Sequence, residues 1–205
     1  MEDSFSMKPF YWVGLLMPLF LGLALVSARA GDVADALSGK LVERRGSELV
    51  PAAADVLSGK TVIALYYSSY GPHCQDFAPQ LVDFYREAIR KYPHFQLVMF
   101  CRHAPGYTSD EAMEKYIVAA GMDWPVLTFP NSADVPLVRQ FATGGVPNLV
   151  VLDADGNVMA GTIPGEDRQS APLTLGDLKE LLDSLASESA VDMTAPAGNS
   201  VRLAR

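Results

Sequence analysis

Two cysteines and three histidines are the side chains of this 205-residue chain best suited to redox, nucleophilic or metal chemistry. Four of the five fall in two short stretches. His73 and Cys74 sit in Tyr66-Tyr-Ser-Ser-Tyr-Gly-Pro-His-Cys-Gln-Asp-Phe-Ala-Pro79, and Cys101 and His103 follow the apolar run Phe95–Phe100. A thiol in the first turn of a helix faces unpaired amides and the positive end of the helix dipole, which favour an anionic, reactive sulfur. A thiol packed among apolar groups is simply a small hydrophobe. Two thiols at one sheet edge form a disulfide if the geometry allows, or join histidines as soft ligands for zinc or copper. Neighbours on a helix diverge, which argues against joint ligation by His73 and Cys74, and the spacing matches no strong metal motif. No metal and no cofactor is expected. His94 follows Pro93 and reads as a solvated loop residue, and the Asp153/Asp155 pair signals a turn, not a catalytic dyad.

These residues need a frame. Lys60–Tyr67 and Phe95–Phe100 are almost continuously apolar, as central strands covered on both faces are. His73–Lys91 lies between them, with Phe77, Leu81, Phe84, Tyr85, Ala88 and Ile89 at helical spacing and Pro79 expected to kink it. Strands joined by such a helix run parallel, so their carboxyl ends, and with them both cysteines, share one edge of the sheet. Ser109 caps a helix over 110–120 that Gly121 stops, and Thr174 caps a last helix ending near Ala186. Asn148–Leu152, a turn at Asp153–Gly156 and a return strand 157–161 form a hairpin. Shorter readings are one helical turn at 32–37, a strand at 40–43, a short helix at 52–57, an extended piece at 124–129, which places Trp124 in a lid or against the core, and helical spacing in 133–142. Leu-Ser-Gly-Lys occurs at both 37–40 and 57–60, but the flanking sequences diverge and no repeat follows. The pattern is α/β, with a mixed central sheet and helices on both faces.

The ends differ in composition. Phe10–Val26 carries no charge, follows Lys8 and precedes Ala28-Arg29-Ala30, a small-residue cleavage pattern. Residues 1–30 read as a signal peptide, giving an exported, periplasmic or secreted protein. The alternative is an uncleaved N-terminal membrane anchor, although the apolar stretch is short for a span and holds Pro18. Glu2 and Asp3 interrupt the basic start, and Met7 is a second candidate start. Removing 1–30 takes two basic and two acidic residues and leaves the net charge at −8. An acidic chain with no Lys/Arg cluster is a poor nucleic-acid binder. The expected domain is 31–186, and 187–205, polar with Pro196 and Gly198, reads as a disordered tail.

The strand, turn, cysteine-bearing helix with an early proline, second strand and Gly145-Val-Pro-Asn-Leu-Val-Val-Leu-Asp153 together resemble the thioredoxin-like fold. Within it the chain is most similar to nucleoredoxin and tryparedoxin, over about residues 37–165. In that family a Cys-x-x-Cys motif opens the helix. Here the motif stands as Gly71-Pro72-His73-Cys74, with Tyr70 in the place of a tryptophan. The resemblance therefore implies that Gly71 occupies the attacking cysteine's position and that Cys74 is the resolving one. It further implies a cis proline at Val146-Pro147, whose loop pairs with an extended partner peptide without needing a thiol.

Glycine supports the local backbone, since Gly71 serves as an N-cap and Pro72 suits the first helical position. It cannot attack a disulfide. The first expectation is thus a protein with a degenerate active site that binds a partner polypeptide through Tyr70, Gly71, Pro72, His73, Val146 and Pro147. The alternative is a thiol-disulfide oxidoreductase acting on a protein thiol through Cys74, alone or with Cys101 as resolving or disulfide partner.

Overall fold

The computed structural model describes residues 30–102, 109–132, 134–142, 145–153, 155–162 and 172–194. The apolar N-terminal segment before Ala30, His103, Gly144 and the chain beyond Thr194 lie outside these residues. Seven strands form one sheet: β1 (Val42–Arg45), β2 (Glu48–Pro51), β3 (Val62–Ser68), β4 (Phe95–Cys101), β5 (Val126–Leu127), β6 (Asn148–Leu152) and β7 (Val158–Gly161). Their order is β2-β1-β5-β4-β3-β6-β7. β3 pairs in parallel with β4, and β4 with β5, whereas β6 joins β3 antiparallel and starts the β6–β7 hairpin. The expected mixed sheet is present.

Every residue of β3, β4 and β6 is buried, and alternation divides them between two cores. Ala64, Tyr66, Leu97, Met99, Cys101, Leu149 and Val151 face one core. It is covered by α2 (Pro72–Lys91), α3 (Asp110–Ala120) and α6 (Leu175–Thr194). Ile63, Leu65, Tyr67, Val98, Phe100, Val150 and Leu152 face the other, under α1 (Ala30–Leu37) and α5 (Leu137–Gln140), which follows the four-residue α4 (Phe129–Ser132). Trp124 is a core residue, with its ring edge-on to Tyr66 and Tyr85 at centroid distances of 6.2 and 5.3 Å.

Caps behave as their residue types dictate. The Ser109 hydroxyl accepts from the Ala112 amide at 3.1 Å, and Gly121 closes α3 in the left-handed region at φ 66°. Thr174 and Asp177 exchange hydrogen bonds, each bridging to the other's amide or hydroxyl at the start of α6. Pro79 lies within α2 without ending it.

Two expectations change and one further strand is present. Residues 54–59 form successive turns in place of a short helix. Their bonds run from Val56 to Ala53, Ser58 to Asp55 and Lys60 to Leu57, and so few residues cannot offset the cost of nucleating a helix. The turn at Gly46 leads into β2, a return strand that its charged, half-exposed neighbours conceal. The last helix runs to Thr194, so residues 187–194 are helical where a tail was expected. Ser187-Glu-Ser-Ala-Val-Asp-Met-Thr194 holds no glycine or proline to stop it.

Candidate functional site

The carboxyl end of β3 delivers the chain through Ser69 and Tyr70 to Gly71, the N-cap of α2, followed by Pro72 at the start of the helix. Gly71 has φ −108° and ψ 161°, extended backbone open to any residue. A Cβ added there would meet only the Ser69 hydroxyl, at 3.3 Å. Glycine is therefore not demanded by the backbone. It leaves the half-buried N-cap position of the helix without a side chain.

Cys74 lies one turn in and is 1 % exposed. Its sulfur accepts from the Ser69 amide at 3.5 Å, with the Ser69 hydroxyl at 3.9 Å. Its carbonyl accepts from the Tyr116 hydroxyl at 2.7 Å, tying α3 to the first turn of α2. The Tyr116 ring also backs Tyr70, with centroids 5.5 Å apart. Ser68 donates to the Tyr66 hydroxyl at 3.1 Å, beside the same sulfur. Burial, with smaller contributions from neighbouring groups including Cys74, raises the pKa of Tyr66 and Tyr116 well above the ordinary phenol value, so both remain neutral hydroxyls.

Cys101 ends β4 in register with Ser68, so both thiols do reach one edge of the sheet. They are not joined. Each is free and buried. The Cys74 sulfur turns to Ser69, whereas Cys101 lines a cavity beneath α3 beside Asp110 and Met113. Burial, assisted by the Asp110 charge, pushes the Cys101 thiol up to about 12, which keeps it protonated at neutral pH. A protonated, enclosed thiol is poorly suited to resolving a mixed disulfide.

The outer surface of this edge is polar and aromatic. Tyr70 is 36 % exposed, Pro72 and His73 are exposed, and Val146 and Pro147 are half-buried. The Val146-Pro147 peptide bond is cis, as the resemblance implied. Pro147 leads into Asn148, which pairs with Tyr67, and it lines a small hollow with Phe77, Leu149 and Leu173. His94 is exposed, and its Nδ1 lies 3.2 Å from the Gly59 carbonyl, away from this edge. Among the described residues no group of three or more His, Cys, Asp or Glu side chains is placed to hold a metal ion.

Sequence reasoning missed Tyr116 and Ser69. Tyr116 lies 42 residues from Cys74 and reads only as an apolar position of α3. Ser69 sits inside the singled-out stretch, but nothing in its type announces a contact with sulfur.

A central sheet in this order, a helix opening at the end of β3 and a cis proline opening β6 define a thioredoxin-like α/β fold. A family model described as Thioredoxin-like matches residues 59–158. Tryparedoxin from Trypanosoma brucei brucei is 30 % identical over 108 residues, covering 52 % of this chain and 69 % of that protein. Probable nucleoredoxin 1 from Arabidopsis thaliana is 24 % identical over 149 residues, covering 71 % of this chain but only 25 % of its own length. The crystal structure of thioredoxin from Wuchereria bancrofti aligns with a TM-score of 0.51 at 27 % identity, covering 72 % of this chain and 97 % of that one. This chain belongs to the thioredoxin-like superfamily.

Proposed function

We propose that this chain is an exported thioredoxin-like protein with a degenerate active site, which binds a partner polypeptide and does not carry out efficient dithiol exchange. The observation that carries this reading is the helix N-terminus itself. Its N-cap is Gly71, and the nearest thiol down the helix, Cys74, is 1 % exposed. Exchange needs an accessible thiolate and a second thiol to release the mixed disulfide. What persists is a surface: Tyr70, Gly71, Pro72 and His73 from one segment, Val146 and Pro147 from the other. An extended peptide pairs with such a loop through its backbone, and the exposed Tyr70 ring adds apolar contact. Export rests on the apolar segment 10–26 and the small-residue site ending at Ala30.

The competing reading, a monothiol oxidoreductase, draws on one observation: the Ser69 amide points at the Cys74 sulfur. An insulin-reduction assay separates the two. Wild type and Cys74→Ser are expected to show the same near-background rate. Activity in wild type that disappears in Cys74→Ser establishes the oxidoreductase. Photo-cross-linking from position 70 tests the surface directly. Polypeptide adducts are expected from 70 and not from Glu87, on the exposed side of α2.

A further inference from the structure

The first turn of α2 is held weakly from within. Its N-cap, Gly71, has no side chain to offer the free amides. Pro79, inside the helix, has no amide hydrogen to give the carbonyl of Gln75 four residues back. The turn is held from outside, at Cys74. On one side the Ser69 amide meets the Cys74 sulfur. On the other, the Tyr116 hydroxyl donates to the Cys74 carbonyl at 2.7 Å. Tyr116 stands on a firm post. Ser109 and Gly121 cap the two ends of α3, Tyr116 is 5 % exposed, and the hydroxyls of Ser68 and Tyr66 lie within hydrogen-bonding reach of its own.

The same side chain makes a second contact. Its ring packs against Tyr70, the exposed aromatic residue of this edge, with 5.5 Å between centroids and 55° between planes. Tyr116 therefore touches both what the surface shows and what it hides. Two substitutions separate these contacts. Phenylalanine keeps the ring and removes the hydroxyl, whereas leucine removes both.

We propose that Tyr116 is a positioning residue that latches the first turn of α2, so that Tyr70 is presented to a polypeptide and the Cys74 thiol is withheld from it. The presenting half rests on the polypeptide-binding reading above, and the withholding half does not. One hydrogen bond and one ring contact each contribute modestly. They act on a turn that has no capping side chain, so their loss opens that turn locally while the sheet stays folded.

Alkylation of the full chain with iodoacetamide, read cysteine by cysteine by mass spectrometry, tests the withholding. Binding of S-alkylated insulin B chain, followed by fluorescence anisotropy, tests the presenting. In Tyr116→Phe, Cys74 is expected to react about tenfold faster than in wild type, with Cys101 and B-chain binding unchanged. In Tyr116→Leu, Cys74 should react faster still and the B chain should bind about tenfold more weakly. A general loss of stability speeds both cysteines together, so the ratio of their rates is the readout that a merely structural role does not move. The proposal is overturned if Cys74 reacts no faster in either folded variant, if both cysteines speed up in parallel, or if Tyr116→Leu binds the B chain as tightly as wild type. Absence of B-chain binding by wild type instead removes the polypeptide reading and the presenting half with it, and the alkylation rates alone then decide whether Tyr116 withholds the thiol.

Discussion

At the residue scale, Gly71 and Cys74 carry the argument. Their identities and spacing were legible, because a small residue and a proline before a helical stripe announce an N-terminus. Burial was one of the two readings open for Cys74, and Ser69 together with Tyr116 from α3 decides it. Gly71 has extended backbone and only a rotatable hydroxyl near its missing Cβ, so a cysteine fits there without strain. Gly71→Cys is expected to raise insulin reduction on the order of 100-fold over wild type, because it places a thiol at the helix N-terminus with Cys74 behind it. In Gly71→Cys/Cys74→Ser the gain should vanish and mixed disulfides should accumulate. The stability of Gly71→Cys alone should stay within about 0.5 kcal/mol of wild type, since only the rotatable Ser69 hydroxyl stands near the added Cβ. A variant that folds and stays inactive would show that more than the nucleophile is missing.

At the scale of elements, legibility followed the length and strength of the pattern. β3, β4, α2 and the β6–β7 hairpin stand out because unbroken apolar runs and helical stripes cover whole elements. β2 and the turns at 54–59 escaped because four to six residues beside a sheet edge carry too little pattern to decide their state. α6 outran its expected end because polarity alone does not stop a helix. The hairpin contains a glycine unlike Gly71. Gly161 has φ 116°, and a Cβ there would sit 2.6 Å from the Leu149 carbonyl oxygen. Gly161→Ala is therefore expected to destabilise the protein by more than about 2 kcal/mol in urea unfolding, through backbone strain and displacement of β7 from β6. Gly71→Ala, without either obstacle, should change stability by less than about 0.5 kcal/mol. Equal effects from the two would contradict the assigned hairpin register.

For the whole molecule, the buried acids set the response to pH. Burial raises Cys101 to about 12 from an ordinary 9.0 and lifts Tyr66, Tyr67, Tyr85 and Tyr116 above their ordinary 10.0. In this window the unfolded chain releases its protons first and binds fewer than the folded one, so stability falls as pH rises. The melting temperature should decline from about pH 9 upward, and Cys101→Ala should make the decline between pH 9 and 12 shallower. An unchanged slope would mean that the thiol is not shielded. The proposed function requires a thioredoxin-like frame that presents no reactive thiol. Timed titration with a chromogenic disulfide reagent, on native and denatured protein without reductant, tests it most directly. No rapid reaction is expected in the native state, and two thiols per chain after denaturation. A thiol reacting within seconds in the native protein at neutral pH, or no thiol after denaturation, would contradict it.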